Sequence, residues 1–284
     1  MLPHSFSHFV QQSVSVSPDG SDLGAAPPTL PPLLPYGSVL QSACLITRYK
    51  RFMADVTLDN GQITTLHCPN TGRMTGCAEP GWRVWYSSSA NPKRKYPYTW
   101  ELSETPAGHW IGVNTGRANA LVAFALQQGV ILELAGYGDW RQEVAYGEEG
   151  SRIDLLLTDH QAGAPDCYVE IKSVTLLGDG ERPELGAAGV GFFPDAPSAR
   201  ASKHLRELIR IRQSGQRAMI LFCVQHSGIR QVRPATHIDA DYAHWLDQAL
   251  DAGVELLAYG ATLTPEGSAL THRLPIQREE QLAP

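Results

Sequence analysis

The chain of 284 residues lacks an apolar run long enough, about 18 residues, to span a bilayer, so no membrane helix is expected. The first residues, "MLPHSFSHFVQQ", have no basic stretch followed by an apolar one, so no secretory signal is read there. Cysteine is scarce. Its five copies, at positions 44, 68, 77, 167 and 223, include no CxxC pair. An odd count without close pairs fits reduced thiols in a cytoplasm rather than a disulfide framework. There is no internal repeat, and no glycine-rich loop of the kind that cradles phosphates, so no residue points to a sugar-handling enzyme. A surplus of positive charge is also missing. The net charge is −6, which argues against a simple polyanion binder.

What is present is uneven. Hydrophobic residues make up 43% of the chain, which supports a packed core and excludes global disorder. Residues 38–117 carry nine Lys/Arg against five Asp/Glu, whereas residues 118–284 carry fourteen against twenty-two. The total therefore hides a basic N-terminal half. Residues 1–37, rich in Pro, Gly, Ser and Ala, read as a flexible tail. Residues 38–115 read as all-β, with Asn60-Gly61 as a hairpin signal, and five or so short strands suggest a small barrel, for which an OB-like barrel is one candidate. From Asn114 the pattern changes to α-β-β-β-α-β-α-β over 116–284, with helices at about 114–129, 197–214 and 239–252 and "VELLAYGATL" as the last strand. That order predicts a mixed α/β domain with an antiparallel start and crossover helices.

Three neighbouring strand candidates each carry an acid in an apolar setting: Glu143, Asp154 and Glu170. In "PDCYVEIKS", residues 165–173, Glu170 and Lys172 stand two apart, so a strand points both to one face. Charges are rarely buried without a partner or a task. A hairpin would set Asp154 beside Glu170. Two close carboxylates repel unless a cation lies between them, and a hard cation such as Mg²⁺ is commonly held by one or two carboxylates, water and a phosphate oxygen. Lys172 could hold an attacking water or offset charge on a phosphate. The set reads as a site for metal-assisted phosphodiester hydrolysis. The plain alternative is a surface strand face.

Arg200, Lys203, Arg206, Arg210 and Arg212 lie on the helix that follows, with an apolar stripe including Leu205 and Leu208. Such a helix can dock on the sheet and offer guanidinium groups to phosphates, or simply present a solvated face. His204 reads either as a partner behind the acids or, by preference, as a surface histidine. In the N-terminal half, Arg48, Lys50 and Arg51 surround Tyr49 and Phe52, and Lys93, Arg94 and Lys95 precede Tyr96, Tyr98 and Trp100. Interleaved cations and rings suit a nucleic-acid groove, although alternation in "YPYTW" assigns the last three rings to a core. His67, Cys68 and Cys77 in "HCPNTGRMTGC" lack a fourth zinc ligand and a close cysteine pair, so a shaped loop is expected there.

The blocks "RYKRFMADV", "HCPNTGRMTGC", "NPKRKYPYTWEL", "YGEEGSRIDLLL", "PDCYVEIKSVTL", "FFPDAPSARASKHLREL" and "HIDADYA" closely resemble the sugar fermentation stimulation protein A family, in order, from about residue 39 to 262. The resemblance implies an OB-like N-terminal barrel followed by a restriction-endonuclease-like, PD-(D/E)xK-type α/β domain. It also implies DNA binding without strong sequence preference and a link to the regulation of sugar, especially maltose, metabolism. Carried residue by residue, it implies Asp154, Glu170 and Lys172 as a nuclease-type set with Glu143 as an upstream acid. The acids would hold Mg²⁺ or Mn²⁺. Two departures stand out: Arg200-Ala201 replaces an Arg-Gly pair, and the loop "LGDGERPELGAAGVGFFPD" is longer. The competing expectation is a non-catalytic DNA-binding regulator that keeps the nuclease fold.

Overall fold

Alternation of buried and half-exposed residues builds the N-terminal strands. In β2 (Met53–Leu58), for example, Ala54 and Val56 point inward. The computed structural model describes residues 31–147, 150–178 and 188–277. The expected tail over 1–30 and much of the long loop after Leu177 lie outside these residues. Strands β1 (Gln41–Tyr49), β2, β3 (Ile63–His67), β4 (Arg83–Ser88) and β5 (Tyr98–Glu104) run in the order β3-β2-β1-β4-β5, and a His67–Thr99 pairing joins β3 to β5 and closes a five-stranded barrel. Strand β6 (Trp110–Gly112) extends it beside β5. The Asn60-Gly61 turn forms as expected: Gly61 takes φ +82° and Asn60 Oδ1 accepts from the Gln62 amide. Trp100 fills the barrel core and its indole N–H donates to the Leu102 carbonyl. Tyr96 and Tyr98, expected beside it, are only half-buried, because Tyr96 precedes the strand.

The second part is a three-layer arrangement. Its sheet holds β7 (Tyr137–Tyr146), β8 (Ser151–His160), β9 (Cys167–Val174), β12 (Arg217–Val224), β14 (Glu255–Thr264) and β15 (Gly267–Arg273), in the order β15-β14-β12-β9-β8-β7. Strand β12 is parallel to both β9 and β14, and the remaining pairs are antiparallel. Helix α1 (Arg117–Gln127) covers one face through Leu121, Val122 and Ala125. Helices α2 (Ala199–Gln213) and α3 (Ala240–Asp251) cover the other through Leu205, Leu208, Tyr242 and Leu246. Both are capped where the sequence offers an acceptor: Ser198 Oγ accepts from Ala201 N, and Asp239 Oδ1 from Tyr242 N. A small sheet of β10 (Leu176–Leu177), β11 (Val190–Phe193) and β13 (Gln231–Pro234) flanks the cleft described below.

Two expectations change. Strand β14 is not the last: β15 returns along it, formed by tertiary pairing rather than by its own weak apolar pattern. Residues 31–37, read with the flexible tail, are docked. Leu34 pairs with Ser268, Tyr36 is buried, and the Arg117 guanidinium stacks 4.2 Å from the Tyr36 ring while donating to the Leu34 and Pro35 carbonyls.

The barrel meets the sheet at β6. Gly112 N donates to Gln225 O, Ser227 N donates to Trp110 O, and His226 pairs with Ile111. His226 is 4% exposed, and burial together with nearby His109 lowers its pKa to about 4. Between about pH 6.5 and 4 the unfolded chain binds a proton at this site that the folded chain refuses. Stability from His226 is therefore complete above about 6.5 and falls as pH drops towards 4. Urea unfolding across that window is expected to show a loss on the order of 3 kcal/mol that is absent in His226→Gln.

Candidate active site

The apolar run Leu155–Leu157 holds β8 tightly to β9, in the register Leu155–Val169, Leu156–Tyr168 and Leu157–Cys167. Continued by one step, this register sets Asp154 opposite Glu170, and there the ladder stops. The Asp154 carboxylate takes over: Oδ2 accepts from the Ile171 amide at 2.7 Å and Oδ1 accepts from Asn119 Nδ2 at 2.9 Å. On the other side, Gln142–Leu155 and Val144–Ile153 pairing puts Glu143 opposite Asp154 as well. The register therefore sets the three acids at neighbouring positions on three strands, with the Asp154 side chain turned to Asn119 of α1 and Glu170 facing α2. Glu143 nevertheless stands apart from the pair. Its backbone takes φ +53°, its carbonyl accepts from Arg152, and its side chain is exposed.

Glu170 is buried, 3% exposed, on the face covered by α2. Lys172, two residues on, donates from Nζ to Glu170 Oε1 at 2.6 Å. His204, from the first turns of α2, bonds the same oxygen through Nδ1. Its Nε2 accepts from Arg200 Nε at 3.4 Å, which leaves the proton on Nδ1 to be donated to the carboxylate. His204 is thus a buried partner and not the surface residue that was preferred. Its position follows from spacing: Ala201, His204, Leu205 and Leu208 recur at helical intervals on the buried side. Burial pushes the Glu170 carboxyl up, but Lys172 and His204 outweigh it and hold the group below its ordinary range. Asp154 moves the other way, raised by burial and then by the charge of Glu170.

Several polar atoms here are buried without a hydrogen-bond partner: Glu170 Oε2, and the hydroxyls of Tyr146 and Tyr242, both of which feel the Glu170 charge. An open carboxylate oxygen beside a second acid with a raised pKa is a donor set that suits a cation or water. Among the described residues, no cluster of three or more His, Cys, Asp or Glu gathers within metal-holding reach, so the fit is that of a two-carboxylate site. A cleft of about 370 Å³ opens beside Lys172, bordered by Asn70–Gly72, Asn119, Phe192 and Asp195. Asn119 and Asp195 were not foreseen. Neither sits in a charged or periodic pattern that would single it out.

The predicted cations divide into two groups. Lys50, Arg51, Lys93, Arg94 and Lys95 are exposed on the barrel. Their two loops converge: His67, which pairs with Met53, feels the charge of Arg94, and Tyr96 reaches Met53. Others are committed to the fold. Arg48 donates to the carbonyls of Arg51, Asn70 and Gly72. Arg206 stacks over Trp245, Arg200 meets His204, and Lys203 is half-buried on α2 with a partner of its own. Arg48, through Nη2, and Arg206, through its ring contact, thus also brace the fold. In the 67–77 loop, Cys68 packs on Met74 and Cys77 Sγ approaches the Thr175 carbonyl.

Comparison with known proteins agrees with this architecture. Residues 46–113 match the family model described as the SfsA N-terminal OB domain, and residues 116–267 match the sugar fermentation stimulation protein RE domain. A sugar fermentation stimulation protein homolog of Aeromonas salmonicida is 58% identical over 220 residues, which cover 78% of this chain and 86% of the relative. One of Shewanella pealeana is 52% identical over 242 residues, covering 85% and 99%. The solved structure of Pyrococcus furiosus SfsA in complex with Ca²⁺ superposes with a TM-score of 0.74 at 26% identity, over 86% of this chain and 98% of that one. The chain belongs to the sugar fermentation stimulation protein family, with an OB-type barrel followed by a restriction-endonuclease-like domain.

The Glu170–Lys172 pair gives a stability test. Glu170→Gln leaves the Lys172 ammonium, only 14% exposed, without its carboxylate, and is expected to cost about 3 kcal/mol in urea unfolding. Adding Lys172→Met to that variant is expected to restore most of the loss.

Proposed function

We propose that this chain is a metal-dependent nuclease that hydrolyses phosphodiesters in DNA, with little sequence preference, in the cytoplasm. The observation that carries the reading is the buried Glu170 carboxylate, with one oxygen open, set opposite Asp154 and two residues from Lys172. A carboxylate buried this way costs stability unless its charge serves a purpose. Asp154 and Glu170 would hold Mg²⁺ or Mn²⁺, and Glu143, exposed at the neighbouring position on β7, is the further acid. The relative solved with Ca²⁺ supports a divalent ion here. Such an ion supplies positive charge to a phosphate oxygen and lowers the pKa of a bound water. Lys172 would position the attacking water and offset charge on the phosphate. His204 keeps Glu170 ionised and oriented. The barrel, residues 38–115, would bind DNA through Lys50, Arg51 and Lys93–Lys95, and residues 116–284 would carry the chemistry.

A second reading, a non-catalytic DNA-binding regulator of sugar (maltose) metabolism genes, is favoured by one observation. Lys172 Nζ is already engaged by Glu170 and lies 3.3 Å from His204 Nδ1. The two readings separate in a cleavage assay with Mn²⁺ or Mg²⁺ on labelled DNA. Cutting by the wild type is expected to fall at least a hundredfold, roughly the contribution of an electrostatic catalytic group, in both Lys172→Ala and Asp154→Ala. DNA binding in EDTA should be unchanged. Binding without cutting on any DNA would favour the regulator.

A further inference from the structure

The entrance to Lys172 is narrow, and its walls are fixed. One wall is the barrel loop Asn70–Gly72. Arg48 holds the carbonyls of Asn70 and Gly72, at 2.8 and 3.0 Å, and Thr115 Oγ1 donates to Pro69 O. The Gly72 amide donates to Asn70 Oδ1 at 2.7 Å. This loop is braced to β1 and to the approach of α1, so it is a rigid lip. The opposite wall is the β11 side, with Phe192 and Asp195. The two walls meet. A Cβ placed on Gly72 would stand 3.1 Å from Asp195 Oδ2 and 3.0 Å from Asn70 Oδ1, so even a methyl group has little room. The space left, about 370 Å³, is at the lower end of pockets that take one small molecule.

A duplex presents its phosphates on a broad cylinder and cannot enter a cleft of about 370 Å³ whose walls close together at Gly72 and Asp195. One nucleotide can. The lining suits a single unit rather than a run of phosphates: Thr71, Thr115, Asn119 and Ser173 offer hydroxyl and amide groups, and among the described residues Lys172 is the one cation of the lining. Outside the cleft, the turn after β1 presents Phe52, 49% exposed, between Lys50 and Arg51 and the Lys93–Lys95 loop. An exposed ring among cations is how proteins hold unpaired bases.

We propose that the strand reaching Lys172 is single-stranded DNA: it stacks on Phe52 at the barrel end and seats one nucleotide in the cleft beside Lys172 and Asn119, which the close approach of Gly72 and Asp195 bounds on one side. This rests on the nuclease reading for what happens to the strand, but not for its form. Duplex DNA is acted on only where a strand is frayed, nicked or displaced.

The test measures binding of fluorescent single-stranded and duplex DNA of one sequence, in EDTA at fixed salt. It uses the wild type and two variants outside the acid–lysine set, with folding checked by thermal melting. Thr71 is exposed in the lip, so Thr71→Trp fills the cleft without touching the core. Thr71→Trp and Phe52→Ala are each expected to weaken single-strand binding about tenfold, the order of one lost stacked base. Duplex binding should be unchanged. Loss on both forms alike, or no loss on the single strand, overturns the proposal. Parallel incubation with Mn²⁺ separates the two claims. If neither form is cut, the nuclease reading fails while the binding contrast still decides the form of the strand. Cutting within intact duplex as fast as in single strand overturns the proposal.

Discussion

A carboxylate buried at Glu170 is the constraint around which the C-terminal part is arranged. Taking such a charge out of water costs several kcal/mol unless donors replace the lost hydration. Two elements supply them to one oxygen. Strand β9 brings Lys172 at i+2, and α2 brings His204 one turn into the helix. The sheet must therefore be parallel between β9 and β12, so that the crossover helix lies over this face. The ladder between β8 and β9 must also open at Asp154, whose carboxylate then takes the Ile171 amide that the ladder would have used. Fold and site are the same set of bonds here.

The barrel contributes position as much as charge. Arg48, which sequence alone places among the binding cations, donates from Nη2 to three carbonyls and fixes the lip that borders the cleft at Lys172. Of the barrel cations singled out in the sequence, Lys50, Arg51 and Lys93–Lys95 stay exposed, on two turns. The −6 net charge thus coexists with locally basic turns on the barrel.

Much of this was legible in the residues. Alternation in β1–β5, the Asn60-Gly61 turn and the helical stripe of α2 are local patterns, and each formed where expected. The Glu170–Lys172 pair was visible because a strand has period two. The placing of Asp154 opposite Glu170 was visible because a hairpin of that length fixes the register. What was not legible is long-range. Strand β15 exists through its partner β14. Residues 31–37 are held by Arg117 and Ser268, far away in the chain. Asn119 becomes a donor to Asp154 only when α1 packs on the sheet. His204 is instructive in another way. Its spacing with Leu205 and Leu208 already placed it on the buried side, but a histidine among cations reads as surface unless that periodicity is given more weight than composition.

The central claim is that the buried acids are kept for a divalent cation. Calorimetric titration of Mn²⁺ into the protein, without DNA, tests it most directly. The wild type is expected to bind Mn²⁺, and Asp154→Asn, folded to the same extent by circular dichroism, is expected to lose that binding. Equal binding by both proteins, or none by the wild type, would contradict the account.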